Sequence, residues 1–274
     1  MSAEGREPRP STAHPHRPRR RFSQNFLVDR GLAQRIVAAI DPRPAERVVE
    51  IGPGLGALTG PLLERLDALD AVEIDRDAAE TLVAKFGTGR LRLHVADVLD
   101  FDFSSLGEPL RVVGNLPYHI STPILFRIDS LHAIVRDCHF MLQKEVVQRM
   151  AAAPDCAAYG RLSVMLQYRW RIEPLFDVPP TAFRPSPKVW SSVVRMCPQR
   201  APRRALDETL FARLVAAAFA QRRKTLRNAL RAYLDESGMR DCGVDPQARG
   251  ETLAVGDFVR LADAALARLN ASSG

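Results

Sequence analysis

The chain has 274 residues, 46% of them hydrophobic, with a formal net charge of +7. That much apolar content buries a core in one large domain, or one domain with a small annex, and the positive excess favours an anionic partner such as nucleic acid. No run approaches the roughly 18 to 20 consecutive apolar residues of a membrane helix, and no apolar stretch near the N-terminus resembles a secretory signal, so a cytoplasmic location without membrane attachment is expected. The four cysteines, Cys138, Cys156, Cys197 and Cys242, form no C-x-x-C pair. They suggest neither a disulfide framework nor a thiolate metal site, and read as buried thiols.

Residues 1 to 21, "MSAEGREPRPSTAHPHRPRRR", contain four prolines and six arginines and almost nothing apolar. Such a segment cannot bury enough surface to offset its ordering entropy, so a disordered basic arm is predicted. From Phe22 onward short β-rich runs alternate with segments of helical period. The runs are "RVVEI" (47 to 51), "AVEI" (71 to 74), "LRLHV" (91 to 95), "LRVVG" (110 to 114) and "CHFML" (138 to 142). Helical candidates cover Thr59 to Leu66, Ala78 to Phe86, Pro123 to Leu131 and Glu145 to Ala152. This alternation predicts an α/β fold with a mostly parallel sheet covered on both faces.

Two further β-like runs, Ile172 to Val178 and Ser191 to Met196, flank the proline-rich loop "PPTAFRPSPKVW", which is expected to wrap the rim of the same sheet. The polar segment "CPQRAPRR" (197 to 204) marks the boundary between residues 22–200 and a C-terminal part, 201–274. Beyond it, "DETLFARLVAAAFAQ", "TLRNALRAYL" and "DFVRLADAALARL" have helical spacing and predict a small helical domain.

Ligands of open α/β sheets bind beyond the carboxyl ends of the strands, and the residues with chemical potential fall there. "VVEIGPGLGALT" runs from a strand through Gly52, Gly54 and Gly56 towards a helix, a turn that lets a ligand approach the backbone. With Ala57 as last position it satisfies G-x-G-x-x-G/A, which leaves dinucleotide binding open. Glu73 follows about twenty residues after the glycines, where an acid accepts hydrogen bonds from ribose hydroxyls in NAD and in S-adenosylmethionine alike. Asp97, after the third run, is placed to accept from an adenine amine.

"VVGNLPYHIS" separates these readings. Hydride transfer has no evident use for Asn115-Leu116-Pro117-Tyr118, whereas methyl transfer to an exocyclic adenine nitrogen does. That nitrogen's lone pair is delocalised into the ring and becomes nucleophilic only as the amine tilts towards tetrahedral geometry. The Asn115 side-chain carbonyl and the Leu116 backbone carbonyl supply two acceptors for its hydrogens, with Pro117 stiffening the backbone. Tyr118 can stack on the base, and Phe183 is a candidate for its other face. Arg203, Arg204, Arg222, Arg223, Lys224, Arg227 and Arg231 form a candidate phosphate-binding surface.

Several blocks in a fixed order carry a resemblance: "RFSQNFLVD", "VVEIGPGLGALT", "VEIDRD", "GNLPYHISTPI", "FMLQKEVVQRM", "AFRPSPKVWSSVVR" and "FAQRRKTLRNAL". From about Arg21 to the C-terminus the chain resembles the ribosomal RNA adenine dimethyltransferases, which modify two adjacent adenosines near the 3′ end of small-subunit RNA. The resemblance implies a class I S-adenosylmethionine-dependent methyltransferase fold, Rossmann-like, with a small helical C-terminal domain. It places cofactor contacts on Asn25, Leu27, Gly52, Glu73, Asp97 and Asn115, and the adenine site on Asn115, Leu116 and Tyr118 with Phe183. It implies small-subunit rRNA or the assembling subunit as partner and no metal, while the oligomeric state is open with monomer the default expectation. Ser23 and His119 depart from the residues usual in bacterial members, Gly and Asn, and neither touches the proposed acceptors.

Overall fold

The computed structural model describes residues 25–199, 204–221 and 223–272. The basic arm (1 to 21), Arg203 and Arg222, and the boundary expected at residue 200 lie outside the described residues. In chain order the elements are β1 (Phe26–Leu27), α1 (Arg30–Ile40), β2 (Arg47–Ile51), α2 (Thr59–Leu63), β3 (Leu69–Glu73), α3 (Arg76–Phe86) and β4 (Leu91–Val95). They continue with β5 (Leu110–Asn115), α4 (Ser121–Asp129), β6 (Val135–Gln143), α5 (Lys144–Ala151), α6 (Arg161–Gln167), β7 (Trp170–Val178), β8 (Phe183–Arg184) and β9 (Ser191–Pro198). The C-terminal helices are α7 (Glu208–Phe219), α8 (Leu226–Ala229), α9 (Glu236–Asp241) and α10 (Val255–Ser272).

Seven strands form one sheet in the order β4-β3-β2-β5-β6-β9-β7. The first five are parallel, and β9 inserts antiparallel between β6 and β7. β3 is buried along its whole length and β2 and β5 nearly so, as expected of strands covered by helices on both faces. Alternation along β5 sends Val112 into a core with Ile124, Leu125 and Phe140, and Val113 into the opposite core with Ile36, Ile40 and Leu62. A third core joins the C-terminal helices, and α6 with Tyr159 contributes to it. Arg169 bridges Asp129 (2.6 Å) and Glu208, linking α4 to α7 across that junction.

Sequence expectation and structure differ in particular places. α1 has helical spacing in Ala33, Ile36, Val37 and Ile40, all buried, with Asp29 accepting from Leu32 N as its N-cap. It was not among the expected helices, nor was α6. "TLRNALRAYL" forms only one helical turn, whose leading N–H groups are capped by tertiary carbonyls: Leu226 N donates to Ala248 O and Arg227 N to Pro246 O. Of the cysteines, only Cys138 is buried, and Cys156 is exposed. Among the described residues no helix is long and apolar enough to cross a membrane.

At the amino end of β5, Arg111 is buried and all five of its N–H directions have partners. Nε and one terminal nitrogen donate to the two Asp137 oxygens (2.9 and 3.0 Å), and the others reach Glu46 Oε2 (2.7 Å), Ile40 O (2.6 Å) and Asp41 O (3.2 Å). This one side chain ties β5 to β6 and to the end of α1. Arg111→Ala removes both close hydrogen bonds to buried Asp137 and leaves it with the longer Arg195 contact (3.9 Å), so denaturant unfolding is expected to show a loss of about 3 to 5 kcal/mol.

Candidate active site

The strand order reverses between β2 and β5: successive strands run outward from β2 through β3 to β4 on one side and from β5 to β6 on the other. At such a point the helices diverge to opposite faces and leave a crevice at the carboxyl ends. β2 enters it through Gly52, Gly54 and Gly56, with φ of 63°, 55° and 80°. A Cβ at Gly56 would lie 2.5 Å from the Phe86 ring, whereas one at Gly52 would meet nothing within 4 Å. Gly56 is therefore required by packing, and Gly52 opens a cradle in which a ligand can reach the backbone.

A cavity of 280 Å³ occupies the crevice. All six expected cofactor positions, Asn25, Leu27, Gly52, Glu73, Asp97 and Asn115, line it, as do Leu116 and Tyr118. Asn25 and Leu27 reach it because β1 pairs with β8, Leu27 opposite Phe183. Glu73, at the tip of β3, accepts from Gly54 N (3.1 Å) through one oxygen and from Asp75 N (2.9 Å) through the other. Burial pushes its pKa up while these N–H groups oppose the shift, and each oxygen keeps a lone pair for a ligand. Asp97 Oδ1 accepts from Leu99 N (2.9 Å), which orients the carboxylate and leaves Oδ2 for the cavity.

The opposite wall comes from β5. A Cβ at Gly114 would stand 2.5 Å from Ile51 O, so only glycine allows β5 this close to β2. Asn115 Nδ2 donates to Asn25 O (3.2 Å). Because a carbonyl only accepts, this bond fixes the amide orientation and leaves Oδ1 as an unengaged acceptor among the described residues. Leu116 N donates to Met141 O (3.1 Å), which anchors the segment to β6. Tyr118 shares a hydrogen bond with Ser191 Oγ (2.6 Å) that fixes the phenol against β9.

Phe183 is not brought to the cavity. Its ring is fully buried with Leu27, Val178 and Val193, behind the wall that Leu27 forms. The basic residues are also not one cluster. Arg204 pairs with Glu208 at the start of α7, while Arg223 and Lys224 lie beyond its end; twelve residues at about 1.5 Å each separate them by about 18 Å. Arg227 pairs with Glu236 (3.3 Å), and Arg223, Lys224 and Arg231 make no ion pair among the described residues.

Two participants were missed from sequence. Ser191, which positions Tyr118, gives no local signal. Glu50 gave one, an acid inside the apolar run "VVEI", and it proves to be buried on the cavity wall, accepting from Thr59 Oγ1 (2.7 Å). Desolvation pushes its pKa up to about 7, with the neighbouring Glu73 charge adding to the rise. Among the described residues no group of three or more His, Cys, Asp or Glu side chains is arranged to hold a metal ion.

Comparison with known proteins decides what this crevice belongs to. The family model "Ribosomal RNA adenine dimethylase" matches residues 15–266. The chain belongs to that family. A relative from Aromatoleum aromaticum, named ribosomal RNA small subunit methyltransferase A, is 60% identical over 247 residues, covering 90% of this chain and 93% of the relative. A dimethyladenosine transferase from Plasmodium falciparum superposes with a TM-score of 0.72 at 22% identity, covering 90% and 98% of the two chains. The 23S rRNA methyltransferase ErmE gives 0.68 at 26% identity, covering 88% and 99%. The expected class I, Rossmann-like methyltransferase fold is thereby established for this member of the dimethylase family.

The raised Glu50 value carries a sign. The neutral acid is favoured in the folded state, so this group lowers stability progressively as pH rises from the ordinary 4.5 to about 7 and holds that cost above it. Urea unfolding of Glu50→Gln, which can still accept from Thr59, is expected to lack that slope. Relative to the parent it gains on the order of 3 kcal/mol between pH 4.5 and pH 7.

Proposed function

We propose that this chain dimethylates N6 of two adjacent adenosines in the 3′-terminal hairpin of small-subunit rRNA with S-adenosylmethionine, contributing to small-subunit biogenesis. The observation that carries the reading is the single crevice in which the Gly52 cradle and Glu73 face the acceptor row of Asn115 and Leu116 beside Tyr118. The 60% identity to a small-subunit methyltransferase supports the choice of RNA.

The residues present fit the cofactor. Glu73 would hold its ribose hydroxyls and Asp97 its adenine amine, and the Gly52 backbone, Asn25, Leu27 and Asn115 would enclose the rest. When bound, S-adenosylmethionine supplies an electrophilic methyl on a cationic sulfur leaving group. The protein's part is then to position and polarise the acceptor amine. Asn115 Oδ1 and the Leu116 carbonyl accept its two hydrogens in tetrahedral geometry, an arrangement whose benefit is realised only as the transition state forms. Tyr118, held by Ser191, stacks on an adenine drawn out of its helix. Alkylation acidifies the nitrogen, so its proton passes to water without a strong base. The second transfer uses one acceptor, since one hydrogen remains, and needs room for the first methyl. Phe183 supports the wall through Leu27; direct stacking would require its ring to leave the core.

The helical C-terminal part, 201–274, carries the RNA contacts in this reading. Arg223 and Lys224, together with Arg203 and Arg222, are the phosphate-binding residues, and Arg204 and Arg227 join them only by leaving Glu208 and Glu236. The enzyme acts as a monomer in the cytoplasm and uses no metal. A large-subunit substrate is the second reading, favoured by the fold shared with ErmE, and methylation assays on the two separated subunit RNAs distinguish them.

Asn115→Ala is expected to bind small-subunit particles as the parent does but to transfer methyl groups about 10²- to 10³-fold more slowly in single-turnover assays. Undiminished turnover would refute the acceptor role. Glu73→Ala is expected to weaken S-adenosylmethionine binding roughly 10- to 100-fold by calorimetry.

A further inference from the structure

One large side chain near the crevice has no role in the reaction so far described. The chain has two tryptophans. Trp170 is fully buried and donates to Asp129 Oδ1 (2.8 Å), whereas Trp190 is 51% exposed. Tryptophan is among the residues most buried on average, so a half-exposed ring is informative. Trp190 lies outside the cavity lining but at the same end of the sheet by topology. Ser191, its neighbour, pairs with Gln143 at the carboxyl end of β6 and with Val178 at the end of β7, which runs parallel to β6. The Trp190 carbonyl accepts from Lys144 N (2.9 Å), so its backbone is anchored just past the sheet, on the rim where the crevice opens.

The next residue is also the one that holds Tyr118, through the 2.6 Å contact with Ser191 Oγ. The two aromatic residues are thus tied to adjacent backbone positions, whose Cα atoms are about 3.8 Å apart. The surrounding loop, Pro179 to Trp190, contains Arg184 and Lys188 and no acidic residue. Both cations are exposed, and neither pairs with a carboxylate among the described residues. A half-exposed aromatic ring on an anchored backbone, in one loop with two unpaired cations, is suited to a single nucleic acid strand, the ring taking a base and the cations its phosphates.

We infer that Trp190 is a stacking platform for the nucleotide that adjoins the target adenosine, with Arg184 and Lys188 against the flanking phosphates. The inference rests on the proposed function and deepens it. When the substrate is a pair of adjacent adenosines, the neighbour of the base held by Tyr118 can itself be an adenine, whose broad face suits the indole. Tyr118 then selects the base that reacts, and Trp190 holds the strand in register beside it.

The test is steady-state methyl transfer to small-subunit particles lacking the modification, with parent, Trp190→Ala and Trp190→Phe. The account expects Trp190→Ala to raise KM for the particle about tenfold, the effect of losing one stacked base. It expects kcat, S-adenosylmethionine affinity and melting temperature to stay at parent values, since the ring supports no core. Trp190→Phe should recover most of the loss, which a steric or folding defect would not do. A Trp190→Ala enzyme with the parent's KM, or a rise in KM that phenylalanine does not relieve, would overturn the inference while leaving the function standing. A parent that transfers no methyl to these particles would overturn the function, and the inference with it.

Discussion

The structure depends on how closely β2 and β5 run together at the point where the strand order reverses. Gly114 has no Cβ, and the Ile51 carbonyl occupies the place one would take. That contact sets the end of β2, with its glycine turn, directly beside the end of β5, with Asn115. A cofactor cradle and an acceptor row that are more than sixty residues apart in sequence become two walls of one crevice. The Arg111 cluster fixes the other end of β5 against β6 and α1. β5 is therefore pinned at its base by buried charge and at its tip by close backbone packing.

Around that strand pair the polar groups are committed in a way that leaves specific atoms free. Asn115 spends its amide nitrogen on Asn25 and keeps its oxygen; Glu73 and Asp97 spend part of each carboxylate on loop N–H groups and keep the rest. Such bonds hold the side chains in place before a ligand arrives, so little reorganisation is needed on binding. Glu50 is the exception in energetic terms. Buried beside Glu73 with one hydroxyl donor, it costs stability once ionised, the kind of local expense that functional clefts commonly carry.

Much of this was legible before any coordinates. The five parallel strands contain short β-rich runs, and the glycine turn, Glu73, Asp97 and the Asn115 to Tyr118 segment each sit where such a run stops. α1 was equally legible in the helical spacing of Ala33, Ile36, Val37 and Ile40. β1 and β8, two residues each, are too short to show any period, and their pairing is purely tertiary. For the same reason sequence could not show that Phe183 faces the core or that Ser191 holds Tyr118. In "TLRNALRAYL" the local helical signal yields a single turn, whose first N–H groups donate to the carbonyls of Ala248 and Pro246.

The account comes down to one product made by one crevice. Its most direct test is mass spectrometry of nuclease-digested small-subunit RNA from cells with the gene deleted, compared with the same cells carrying the parent gene. The account predicts that two adjacent N6,N6-dimethyladenosines near the 3′ end are replaced by unmodified adenosines in the deletion and return with the parent gene. Full dimethylation of both positions in the deletion strain would contradict it.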